Sequence, residues 1–115
     1  DDIKNKKNTL ANHYLGLCIS LYQNNEFEEA RKYAKYLTEI YSNSKIDKKY
    51  LLDNIYFISN YLFSNDNFLE GRKYLMQAAK KEPSNLKLCL KAFISLFGKN
   101  VYDKILKIYR NRIKR

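Results

Sequence analysis

Glu28 and Glu29 are adjacent carboxylates, and with His13, Cys18 and Cys89 they make up the groups in this chain most suited to proton transfer, nucleophilic attack or metal binding. Their spacing argues against all three. Adjacent residues on a helix point about 100° apart, and Glu28 and Glu29 run straight into Arg31 and Lys32, so the pair reads as the solvated, acidic start of a helix. His13 has neither a Cys nor a carboxylate at helical spacing to activate or to share a metal with. Two distant thiols and one His cannot build an ordinary structural zinc site. Cys18 and Cys89 fall on apolar faces, where a thiol behaves as a small core residue. With three Gly and one Pro, the chain has no glycine-rich loop to cradle a phosphate. No catalytic residue, metal ligand or cofactor is expected in this segment.

These groups must be carried by something, and composition bounds what it is. A chain of 115 residues, 45% hydrophobic and 30% charged, is long enough for one folded domain and too apolar for a disordered polyelectrolyte. The net charge of +10 is unevenly placed. Lys99, Lys104, Lys107, Arg110, Arg112, Lys114 and Arg115 face Asp103 alone, so six of the ten net charges sit in the last seventeen residues. Such a segment is drawn to phosphate on nucleic acid or on anionic lipid, and these seven are the candidate anionic-surface contacts. No run reaches the ~18 apolar residues of a membrane span, and Asp1 to Asn8 is charged where a signal peptide is apolar. The expectation is a cytoplasmic chain, peripheral at most on the inner face of a membrane. Unpaired thiols fit that compartment, and the missing initiator Met suggests a piece of a longer protein.

Apolar spacing supplies the elements. Leu10, Tyr14, Leu17, Cys18 and Leu21 recur every three to four residues up to Asn24-Asn25, and Phe27, Ala30, Ala34, Leu37 and Tyr41 repeat the pattern. Asp47 is a candidate N-cap for a third helix carrying Leu51, Ile55, Ile58, Leu62 and Phe63. Phe68, Gly71, Leu75, Ala78 and Ala79 define a fourth, closed by Pro83. Ser84 or Asn85 can cap a fifth through Phe97, Gly98 suits a left-handed C-terminal position, and a sixth follows from about Val101 to Ile113. The organisation expected is a polar lead-in over 1–9, helical hairpins over 10–97 and a basic amphipathic helix over 98–115, in one domain.

An internal repeat links these helices. Setting Ala30 on Gly71 matches Tyr14 with Ile55, Leu17 with Ile58, Leu21 with Leu62, Phe27 with Phe68, Ala34 with Leu75 and Leu37 with Ala78. Arg31-Lys32-Tyr33 then falls on Arg72-Lys73-Tyr74, and Asn24-Asn25-Glu26-Phe27 on Asn65-Asp66-Asn67-Phe68. The pattern resembles the tetratricopeptide (TPR) repeat, in which a small residue lets paired helices approach and a Pro ends the second. It departs from that pattern in having Tyr14 where Trp is usual and Ser42 where the first Pro would stand. The 41-residue offset from position 30 to 71 also exceeds the ~34 of a TPR unit by nearly two helical turns, which a longer third helix absorbs. The fold this implies is all-α: six helices in three antiparallel pairs, a TPR-like right-handed α-solenoid without β-sheet. Ala30, Ala34, Leu37, Leu62 and Leu75 should be buried with Leu17, Leu21, Phe27, Tyr33 and Phe68.

The order of parts carries a second resemblance. Tyr14-Leu15-Gly16-Leu17, Phe27-Glu28-Glu29-Ala30-Arg31-Lys32-Tyr33, Ala78-Ala79-Lys80-Lys81-Glu82-Pro83 and Leu96-Phe97-Gly98 before a basic helix are similar to the C-terminal accessory region of bacterial family 2 glycosyltransferases. That family's catalytic part carries an Asp-x-Asp motif, which does not occur in this sequence, so no catalytic role transfers. The resemblance implies a non-catalytic accessory domain whose partner is another protein or the parent's catalytic domain. A nucleic-acid-binding helical module using the basic helix is the alternative.

In paired-helix repeats the first helix of each pair lines the concave face. Here that face would carry Asn12, Ile19, Tyr22 and Gln23, then Asp53, Tyr56, Asn60 and Phe63, a mixture suited to a peptide or glycan groove or to a docked domain. On the last helix, Tyr102, Ile105, Leu106, Tyr109 and Ile113 gather opposite Lys104, Lys107, Asn111, Lys114 and Arg115. That stripe is expected to cap the last pair, with the charges free to meet an anionic membrane surface.

Overall fold

The computed structural model describes residues 2–41 and 45–113, with side chains described over 6–41 and 47–112. All regular structure among the described residues is helical: α1 (Asp2–Gln23), α2 (Phe27–Ile40), α3 (Lys45–Ser64), α4 (Phe68–Lys81), α5 (Leu86–Ser95) and α6 (Lys99–Ile113). These are the six helices that the periodicity predicts, with two starts displaced. Residues 2–9, expected as a lead-in, are the first turns of α1. They contain no Pro or Gly to stop a helix, and contacts made far along the chain hold them: Lys7 pairs with Asp47 and lies 5.8 Å over the Tyr41 ring, whose hydroxyl donates to Asn8 Oδ1 at 2.8 Å. Asp47 is therefore not an N-cap. It sits in the first turn of α3, where its charge suits the helix dipole and meets Lys7. Ser42, the position lacking the expected Pro, lies outside the described residues.

The turn after α1 is a Schellman motif made without glycine. Asn25 is left-handed (φ 59°), its N–H donates to Tyr22 O at 3.1 Å, and Glu26 N–H donates to Leu21 O at 2.8 Å. The turn after α3 repeats it: Asp66 has φ 62° and Asn67 N–H donates to Leu62 O at 2.9 Å. Each turn is then closed by rings, Tyr22 on Phe27 and Phe63 on Phe68, both with centroids 5.1 Å apart. The small residues match as well. Ala30 and Gly71 are both buried, and a Cβ on Gly71 would lie 2.8 Å from the Phe63 ring and 3.0 Å from Ser59 O. Ser59 Oγ donates to Gly71 O at 2.8 Å across the same approach. The start of α5 is capped as expected, Asn85 accepting from Leu88 N–H at 3.1 Å; the helix ends at Ser95, two residues short of Phe97, and Gly98 takes φ 98° after the intervening turn.

The chain divides into two compact units, Asp1–Ile58 and Ser59–Arg115, with the division inside α3. In the first, α1 and α2 pack with nested contacts, Tyr22 on Phe27, Tyr14 on Tyr33 and Tyr36 at 5.8 and 5.5 Å, and Asn8 on Tyr41. Ala11, Cys18, Ala30, Ala34 and Leu37 are buried there. In the second, Leu62, Tyr74, Leu75, Ala78, Leu88 and Ala92 are buried, and Tyr102 closes a three-ring cluster with Phe63 and Phe68. Of the ten residues expected inside, Ala30, Ala34, Leu37, Leu62 and Leu75 are buried, while Leu17, Leu21, Phe27, Tyr33 and Phe68 are half-buried.

Candidate interaction surfaces

The groups most suited to chemistry are distributed over α1, α2 and α5. Glu28 and Glu29 are exposed in the first turn of α2. His13 is exposed with its ring 6.2 Å from that of Tyr14, Cys18 is buried, and the Cys89 thiol lies 3.5 Å from Pro83 O. No group of three or more His, Cys, Asp or Glu among the described residues could hold a metal ion. Glu70 is a buried carboxylate that the sequence reading passed over, in the first turn of α4 and 3.6 Å from Lys73.

The concave-face set is split. Asn12 and Gln23 on α1 and Asp53 and Asn60 on α3 are exposed, and Ile19 and Tyr56 are half-buried. Helical spacing puts Asn12, Ile19 and Gln23 along one line of α1, and Asp53, Tyr56 and Asn60 along one line of α3. Tyr22 and Phe63 do not belong with them. Tyr22 is buried, and Phe63 is packed on Phe68, Tyr102 and Gly71. Near the end of the first helix of a pair, a side chain meets the first residue of the next, so these two rings serve the turn. Sequence spacing alone does not separate that side of a helix from the adjacent groove.

The basic set is on the surface where it is described. Lys99, Lys104, Lys107, Arg110 and Arg112 are exposed, and Lys114 and Arg115 lie outside the described residues. Lys99 is already engaged: its Nζ donates to Asp66 Oδ1 at 2.6 Å, tying the start of α6 to the α3–α4 turn. The hydrogen bond and the charge of Lys99 hold the Asp66 carboxyl below its ordinary value, and the same contact raises Lys99.

The apolar side of α6 is covered less than the capping expectation required. Tyr102 is 4% exposed and Leu106 half-buried, whereas Val101, Ile105, Ile108 and Tyr109 are exposed. Tyr102, in the first turn of α6, is the anchor of the stripe, held against Phe63 and Phe68. The side chain of Ile113 lies outside the described residues.

A second uncovered stripe runs along α5. Leu86, Leu90 and Phe93 stand four and three residues apart, hence on one line of α5, and Phe97 follows in the turn after it; the four are 81%, 56%, 57% and 61% exposed. The opposite side of α5 holds the buried Leu88, Ala92 and Ser95. Phe93 and Phe97 meet edge to face at 5.4 Å, so the stripe has its own internal packing. A signal for it was present in Leu-Lys-Leu-Cys-Leu-Lys-Ala-Phe-Ile-Ser, which is apolar on more than one side. No helix of the described residues is long and apolar enough to cross a membrane. Comparison with protein-family models, with curated proteins and with solved structures finds no match to this chain.

Proposed function

We propose that this chain is a non-catalytic helical interaction module, built as TPR-like antiparallel hairpins stacked in a right-handed solenoid, that holds a partner protein or the catalytic domain of its own polypeptide. The reading rests first on the repeated turn. Asn25 and Asp66 share a left-handed conformation, a main-chain bond from the residue just before each following helix closes each turn, and a ring pair at 5.1 Å seals it. The nested order of contacts between α1 and α2 supports the antiparallel pairing. Exposed Asn12, Gln23, Asp53 and Asn60 supply directional hydrogen-bonding groups along the first helix of each pair, outside the core. The order of motifs further supports placement at the C-terminal end of a family 2 glycosyltransferase on the cytoplasmic side, with the nucleotide-sugar chemistry carried by the preceding domain.

The experiment is titration of the isotope-labelled chain with the separately expressed catalytic domain of its parent polypeptide. Amide shifts should change along α1 and α3 at Asn12, Gln23, Asp53 and Asn60, and a Gln23→Arg, Asn60→Arg variant should weaken the complex without losing helicity. Absence of binding would overturn the reading. Labelled DNA and RNA, single- and double-stranded, form the second arm, where micromolar binding with a steep salt slope would assign the chain to nucleic-acid binding instead.

A further inference from the structure

Two features of the second unit lie outside that reading, which concerns α1 and α3. The first is the uncovered apolar line of Leu86, Leu90 and Phe93 on α5, with exposed Phe97 in the turn after it and exposed Val101, Ile105 and Ile108 on α6, a helix that packs on α5. The second is charge. From position 84 to the end the chain has nine Lys and Arg against Asp103 alone, and Lys104, Lys107, Arg110 and Arg112 are exposed. Exposed apolar side chains gathered in this number on two packed helices mark an interaction site, and their setting restricts the occupant. A second copy of the chain would bring two strongly cationic ends together, a like-charge contact that works against self-association. An anionic occupant with an apolar interior is favoured on both counts.

We propose that the α5–α6 end is a membrane-surface contact: its apolar lines seat at the headgroup boundary of a bilayer containing anionic phospholipid, and the neighbouring cations meet lipid phosphates. Tyr102, buried against Phe63 and Phe68, and the Lys99–Asp66 ion pair fix the base of α6 while leaving the rest of its surface to the bilayer. The capping role and the lipid role are thus divided along one helix.

The test is co-sedimentation of the 115-residue chain with vesicles of pure phosphatidylcholine and with vesicles rich in phosphatidylglycerol, at low and moderate salt. The chain should pellet with the anionic vesicles at low salt and remain in solution with the neutral ones. A Lys104→Gln, Lys107→Gln variant should bind about 25-fold more weakly, from about one tenfold step per 1.4 kcal/mol and about 1 kcal/mol per cation at the surface. A Phe93→Ser, Phe97→Ser variant, altered only at exposed rings, should lose at least about tenfold in binding while keeping its helical circular dichroism. Retention of the intact chain in the supernatant with anionic vesicles overturns the proposal, as does full binding by the Phe variant. Dimers seen by light scattering and abolished in the Phe variant would assign the surface to a second copy and would also overturn it.

Discussion

The α1–α2 pair and the α5–α6 pair begin from the same kind of sequence, apolar residues at three- and four-residue spacing, and end in opposite conditions. In the first pair Leu10 is the large hydrophobic side chain left exposed among the described residues, and Ala11, Cys18, Tyr22, Ala30, Ala34 and Leu37 are buried. In the last pair Leu86, Leu90, Phe93, Phe97, Val101 and Ile108 all stand in the open while Leu88, Ala92 and Tyr102 are inside. Charge divides along the same line: residues 1–58 hold nine basic against eight acidic side chains, and residues 59–115 hold thirteen against four. Periodicity therefore reports that a helix has an apolar face, and burial depends on whether another element arrives to cover it. Where none does, a cationic setting indicates which kind of surface can.

Breaking a sealed contact should cost far more than breaking an open one. Leu37→Ala, at a site with no exposure, should destabilise the chain by about 2–5 kcal/mol in urea unfolding, and Leu90→Ala, at a more than half-exposed site, by no more than about 0.5 kcal/mol. Equal losses would mean that the α5 line is covered in solution. Next in size is Gly71→Leu, which forces a side chain into the space held by Phe63 and Ser59 O. A loss of about 1–3 kcal/mol and a lower thermal midpoint are expected, and an unchanged midpoint would contradict the close approach. Asn85→Ala removes the bond to Leu88 N–H that starts α5, and should cost about 1 kcal/mol.

The smallest effect concerns pH. Lys99 depresses the Asp66 carboxyl, so the folded state is favoured above the ordinary Asp value of 3.8 and loses that contribution as pH falls through the lower folded value. Lys99 is raised, so its share is present below 10.5 and is lost as pH rises through the folded value. Both groups are exposed, and solvent screening keeps the effect slight. Asp66→Asn should fold, since Asn25 already occupies the equivalent left-handed position, and its thermal midpoint should fall slightly less between pH 6 and pH 2.5 than that of the intact chain.

Much of this architecture was legible because helix ends are written in local chemistry. Asn24-Asn25 and Asn65-Asp66 supply residues that tolerate a left-handed turn, Asn85 caps, Gly98 terminates, and Ala30 and Gly71 are small where helices approach. What sequence could not show depends on contacts between distant positions. The early start of α1 rests on Lys7 with Asp47 and Asn8 with Tyr41, separations of 40 and 33 residues. Tyr22 and Phe63 resembled groove residues because helical spacing fixes a direction and not a neighbour. The candidate surface was legible in its charges, which the sequence displays openly. Its apolar half was missed because Leu86, Leu90, Phe93 and Phe97 look like core residues until the packing leaves them out.

The contrast between the two pairs is tested most directly by a soluble paramagnetic agent, reading the relaxation it induces in methyl and ring protons of the dilute chain. Strong enhancement is expected at Leu86, Leu90, Phe93, Phe97 and Ile108, with little at Leu37, Ile58, Leu62 and Leu75. Protection of the α5 line equal to that of Leu37 would show it to be covered and would contradict the open cationic end.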